Sequence, residues 1–134
     1  MSLKNIVVEG CSLEFQNGGS PNEGIVINPT PVQTSTKVKA EGKAVYKTIK
    51  FTITGYTAPS SKPNWVPGSG SGSGEITATS QYVKVEGEKV ILEGDESAEI
   101  TINGQEYEGS STVHATFTEV VKVTNAGQTK VKGS

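Results

Sequence analysis

The chain contains no arginine, one cysteine, one histidine and one tryptophan, and aromatic residues make up only 6% of its 134 residues. Arginine is the usual side chain for bidentate recognition of phosphate and of guanine edges, so its absence argues against nucleotide and nucleic-acid ligands. A lone Cys11 excludes an internal disulfide and any CxxC-type zinc or redox site. Long apolar runs are also missing. Glu9 interrupts the first residues before any stretch of signal-peptide length, and no segment approaches the ~18 apolar residues of a membrane-spanning helix. The expected location is therefore the cytoplasm, unless a dedicated machine exports the protein. Twelve lysines against fourteen acids give a net charge of −2, too balanced to imply capture of a polyanion or an anionic membrane surface.

What is abundant is punctuation and β-branched residues. Sixteen glycines and six prolines interrupt short runs rich in Val, Ile and Thr, a composition suited to pleated strands and tight turns. The length fits one core, so the expectation is a single all-β domain over residues 1–134. Strands are expected near 5–9, 11–15, 24–28, 36–41, 43–54, 75–79, 81–86, 88–93, 98–103, 105–108, 111–123 and 128–132, with no helix of ordinary length. The run from Ser111 to Val123 alternates well enough to be one long strand, in which Glu119 would need a sheet-end or exposed position.

A duplication organises the chain. Residues 34–45, TSTKVKAEGKAV, align with residues 79–90, TSQYVKVEGEKV, with seven of twelve positions identical at an offset of 45. Each copy runs into Glu-Gly and out again, as a hairpin does when its Gly takes positive φ. Two weaker echoes of this frame occur at Ile6–Leu13, around Glu9-Gly10, and at Ile100–Tyr107, where Asn103-Gly104 is a strong hairpin signal. Between Tyr56 and Glu75, three prolines surround Trp65 and lead into GSGSGSG; that composition predicts a flexible loop near 57–74 joining two halves of one domain. Trp65 is the candidate partner-binding residue, set against a role in covering the edge of the core.

Catalytic chemistry finds little to work with. A zinc site needs about four ligands, and only Cys11 and His114 are of the preferred types, so carboxylates or other subunits would have to complete it. A Cys11/His114 dyad lacks a supporting motif. Glu93, Asp95 and Glu96 lie in a Gly-containing turn without an EF-hand pattern, which reads as a solvated loop. Lys37, Lys39, Lys43, Lys84 and Lys89 alternate with apolar residues, as outward strand positions do. No catalytic residue, cofactor or metal is expected.

Three segments carry a family resemblance: Val7–Leu13, Pro63–Gly68, and Thr79–Gly87 followed by Val90–Asp95. With their repeated valine, small polar turn and glycine, they resemble the PAAR-like proteins of type VI secretion and of other phage-tail-like contractile injection systems. The resemblance implies a β cone with an internal pseudo-repeat, whose base caps a trimeric β-helical spike and whose point leads during contraction. It also implies further baseplate or effector partners and transient membrane contact during injection. PAAR tips commonly hold zinc with histidines and a cysteine, and here only His114 and Cys11 are of those types. The alternative is a β-sandwich binding module for carbohydrate or protein, using Trp65 and the tyrosines as stacking platforms.

Overall fold

The computed structural model describes residues 3–16, 25–28, 33–56 and 65–134; for residues 55, 56, 65–69 and 115 it describes the backbone. Thirteen strands are present among them: β1 (Lys4–Asn5), β2 (Ser12–Phe15), β3 (Ile25–Ile27), β4 (Thr34–Ala40), β5 (Lys43–Tyr46), β6 (Thr48–Tyr56), β7 (Trp65–Thr77), β8 (Lys84–Val85), β9 (Glu88–Lys89), β10 (Ile100–Glu108), β11 (Ser111–Glu119), β12 (Val121–Asn125) and β13 (Lys132–Gly133). The all-β expectation holds. One five-stranded antiparallel sheet, ordered β11-β10-β7-β6-β3, is accompanied by four two-stranded pairs: β1-β13, β12-β2, β4-β5 and β8-β9.

The Gly/Ser tract does not form the expected flexible loop. Residues 70–74 lie inside β7, the central strand of the large sheet, and the expected loop positions 57–64 fall outside the described residues. The tract alternates with the period of a strand. Ser71 and Ser73 are exposed, while the glycines occupy space that neighbouring strands fill with bulk. A Cβ on Gly70 would stand 2.9 Å from Ile102 Cγ2, and one on Gly74 would stand 2.8 Å from both Ile100 Cγ2 and Phe51 Cζ. Large side chains on β6 and β10 thus lean over the stretch from Gly70 to Gly74, which has none on that face. Composition suggested freedom; cross-strand packing supplies the order that glycine lacks by itself.

Two other boundaries differ from expectation. Asn103-Gly104 makes no turn: β10 runs unbroken through it and pairs with β11 from Ile100↔Glu119 to Glu108↔Ser111. The turn between β10 and β11 falls at Gly109, with φ of 59°, in the gap expected between 108 and 111. Gly104 faces Gly70 on one side and Ala115 on the other, so pairing along both edges overrides the local preference. The stretch 111–123 is two strands, β11 and β12, separated at Val120, and Glu119 ends β11 but is fully buried.

The two strong repeats are the same hairpin built twice. Ala40 pairs with Lys43 and Val85 with Glu88, leaving two-residue turns at Glu41-Gly42 and Glu86-Gly87. Their φ values, 52° and 75° in the first and 54° and 82° in the second, are those a type I′ turn requires at both central positions. In each copy a serine hydroxyl bridges the hairpin. Ser35 Oγ donates to Val38 O and accepts from Val45 N at 2.9 Å; Ser80 Oγ donates to Val83 O at 2.7 Å and accepts from Val90 N at 2.9 Å. Glutamate is a poor residue for positive φ, and the Glu41 carboxylate gains nothing for it, making no hydrogen bond or ion pair among the described residues. Glu41→Asn is therefore expected to raise stability by about 0.5–1 kcal/mol, measured by urea unfolding, since Asn-Gly is the preferred I′ pair.

Two apolar clusters divide the interior. The larger gathers Val7, Tyr46 and Ile91 with Phe51, Ile53, Ile76, Ile102 and Val121, drawing on segments before and after the Gly/Ser tract. The smaller collects Ile6, Val8, Ala40, Val45, Val85, Val90 and Leu92 from the hairpins. Each such side chain contributes roughly 1.5–3 kcal/mol on burial, so even the smaller cluster is a substantial core.

Candidate functional site

The clusters meet at a junction of three extended segments, Ile6-Val7-Val8, Val45-Tyr46-Lys47 and Val90-Ile91-Leu92. Val7 N–H donates to Ile91 O, Ile91 N–H to Tyr46 O, and Tyr46 N–H to Val7 O, each at 3.0 Å. These bonds close a cycle, the pattern that a threefold rotation generates. Strand alternation then separates the side chains: Val7, Tyr46 and Ile91 enter the larger cluster, whereas Ile6, Val45 and Val90 enter the smaller. Two of the three flanking bridges that such a rotation calls for are formed, Ile6↔Leu92 and Val8↔Val45. The third position holds Lys47, whose amide donates to Gln33 O at 2.8 Å instead.

A third hairpin accompanies the third segment, assembled from residues far apart in sequence. β13 pairs antiparallel with β1, Lys4↔Gly133 and Asn5↔Lys132, and Ile6 N–H donates to Val131 O. Thr129-Lys130-Val131-Lys132 repeats Thr36-Lys37-Val38-Lys39 letter for letter. Gln128 stands where the other copies have Ser35 and Ser80, and its Nε2 donates to Val131 O at 2.7 Å, as those hydroxyls donate to Val38 O and Val83 O. It also donates to Ile6 O at 2.8 Å, while its Oε1 accepts from Lys130 N and Val131 N.

The copies interlock through backbone amides. The Glu86 carboxylate, at the tip of the second hairpin, accepts from Thr36 N, Lys37 N and Val38 N at 2.9–3.2 Å and from Lys47 Nζ at 3.0 Å. In the second copy the matching amides, Gln81, Tyr82 and Val83, converge at 2.9–3.2 Å on Ser134 O. In the third, Lys130 and Val131 are served by Gln128 Oε1. Successive amides turned toward one acceptor favour negative charge. Donation from Lys37 N, then from Lys47 and Val38, holds the Glu86 carboxyl at about 2, below its ordinary 4.5. A depressed folded-state value means that the contribution is complete above pH 4.5 and is lost as pH falls toward 2. Acid unfolding monitored by circular dichroism should show wild-type stability falling more steeply across that window than in Glu86→Gln, which has nothing to titrate there.

The weak echo at Ile6–Leu13 belongs to this junction but in another frame. Val8-Glu9-Gly10-Cys11 is not a Glu-Gly hairpin tip; it matches Leu92-Glu93-Gly94-Asp95. Cys11 N–H bonds Val8 O at 3.1 Å, Asp95 N–H bonds Leu92 O at 2.9 Å, and Gly10 and Gly94 have φ of 93° and 98°. The acidic cluster is knitted into the same turns. Asp95 is buried, accepting from Leu92 N and the Thr79 hydroxyl, and Glu93 accepts from Ala126 N at 3.0 Å and from Asn5 Nδ2.

Cys11 and His114 are not brought together. Cys11 is half-buried at the start of β2, beside Leu13, Ile25 and Ile27, and burial pushes its thiol up to about 11. His114 is exposed on β11 opposite Gln105, lining a shallow cleft with Thr54, Ser71 and Asn103. No group of three or more His, Cys, Asp or Glu side chains among the described residues is placed to hold a metal ion. The Trp65 backbone pairs with Glu108 in the large sheet, while its side chain lies outside the described residues. Sequence inspection could have found the third copy through the repeated TKVK, but nothing local signalled that residues 4–8 complete it. Comparison with family models, curated proteins and solved structures finds no match to this chain.

Proposed function

We propose that this chain is a non-enzymatic structural protein that caps a trimeric spike of a contractile injection apparatus of the type VI secretion or phage-tail-like kind. The observation that carries this reading is the cyclic hydrogen-bonded junction. A single chain that repeats one hairpin around a closed ring offers three similar surfaces, which is what the end of a threefold-symmetric partner requires of a monomeric cap. Buried backbone hydrogen bonds and two apolar clusters give the junction rigidity suited to transmitting thrust. A Cys11 thiol protonated at neutral pH and separated from His114 further supports a role without covalent catalysis. The test is co-purification with a trimeric spike protein, followed by sedimentation of the mixture. A complex of one chain per trimer is the expected species; failure of well-folded partners to associate at micromolar concentration would sink the reading.

A second reading, a carbohydrate-binding module, is favoured by the cleft between β6, β7, β10 and β11, whose described lining is hydroxyl, amide and imidazole without carboxylate or ammonium. Glycan-array binding that disappears in Asn103→Ala would support it, and a blank array would remove it.

A further inference from the structure

The net charge of −2 conceals a segregation. The three hairpins with their junction segments, residues 34–47, 79–92 and 128–134 with 4–8, hold nine of the twelve lysines and three of the fourteen acids, a balance of +6; all other residues together carry −8. Two of those three acids, Glu86 and Glu88, are engaged by Lys47 at 3.0 and 3.1 Å. The lysines are also repeated in place. Lys37-Val38-Lys39, Tyr82-Val83-Lys84 and Lys130-Val131-Lys132 are equivalent positions in the three copies, and all five lysines are exposed. Apolar side chains are left in water beside them: Val38 (45% exposed) and Val131 (39%) stand between paired lysines, and Tyr82 (69%) takes the place of the first lysine in the second copy, where Val83 is half-buried against the smaller cluster; these are three of the six large apolar residues exposed among those described.

We infer that these three equivalent tripeptides, with their five lysines and the exposed Val38, Tyr82 and Val131, form the docking face, and that the partner surface they fit is the end of a trimeric protein bearing acidic side chains around an apolar centre. The inference rests on the spike-cap reading and adds to it the chemistry of the contact. Charge complementarity selects the acidic partner, and the exposed apolar residue that each copy sets beside its charges favours a protein over a nucleic acid. A polyanion would use the lysines and leave Val38, Val131 and Tyr82 unused.

The probes are a trimeric β-helical spike whose blunt end carries glutamates and the same spike with those glutamates changed to glutamine. The full chain should bind the first at least about tenfold more tightly, with affinity falling as salt is raised. Combining Lys39→Glu, Lys84→Glu and Lys132→Glu should abolish that preference while leaving the melting temperature unchanged, because all three side chains are exposed. The matching Lys→Gln triple removes charge without adding repulsion and serves if the first triple fails to fold. Equal affinity for the two spikes, salt-independent binding, or equally tight binding to duplex DNA would overturn the inference. Binding to neither spike would overturn the spike-cap reading itself, so the two failures are distinguishable.

Discussion

Gly74→Val is expected to lower the midpoint of thermal unfolding by about 10 °C, the equivalent of about 3 kcal/mol for a chain of this size. Glycine inside a strand ordinarily costs stability, because the unfolded chain gains freedom and no side chain packs, so replacing it should help by about 0.5–1 kcal/mol. At Gly74 the sign reverses. The new Cβ would meet Ile100 Cγ2 and Phe51 Cζ, both at 2.8 Å, and Phe51 is fully buried with no room to withdraw. Gly74→Ala should show about half the loss. Ser73→Ala, one residue away on the exposed face, should stay within about 0.5 kcal/mol of wild type. Differential scanning calorimetry on the three variants checks the assignment, and a neutral or stabilising Gly74→Val would mean that the tract is not a packed strand.

Ser80→Ala is expected to cost about 2–4 kcal/mol, read from urea unfolding. The hydroxyl is fully buried and serves two backbone groups, accepting from Val90 N and donating to Val83 O. Deleting it leaves both without a partner, at about 1–3 kcal/mol for each buried group. Ser80→Thr keeps the hydroxyl and should recover much of the loss. Ser35→Ala tests the equivalence of the copies, since Ser35 makes the same two contacts with Val38 and Val45. An effect near zero in both alanine variants would show that the hydroxyls decorate the hairpins rather than hold them.

The duplicated hairpins were legible because everything that defines them is local: the Glu-Gly tip, the serine ten residues before the valine it bonds, and alternation between. The outward lysines were legible for the same reason. The role of the Gly/Ser tract was not, since its order comes from Ile100, Ile102 and Phe51 on other strands, and composition reports only what a segment would do alone. Asn103-Gly104 misled similarly, as a local turn preference outweighed by pairing on both edges. The junction was hidden more deeply, because its third member joins Ile6 to Gln128 across 122 positions, and its third hairpin uses an amide where the other two use a hydroxyl. The separation of charge escaped for a related reason: a sum of −2 is blind to position.

The third hairpin, built from two distant segments, has a consequence for how the molecule is made. During synthesis the first and second hairpins can form as soon as their residues emerge, but the third cannot complete until Gln128–Gly133 arrives to pair with residues 4–6. Residues 4–6 must therefore wait for a segment made more than a hundred positions later, Gln128 lying 122 residues from Ile6. Loop closure over such a span carries an entropic cost before any contact rewards it, which places completion of the third hairpin late and slows folding. Until then both backbone polar groups of Ile6 lack their partners, Val131 O and Gln128 Nε2, so the molecule is most open to misassembly in the interval just before its last strand docks.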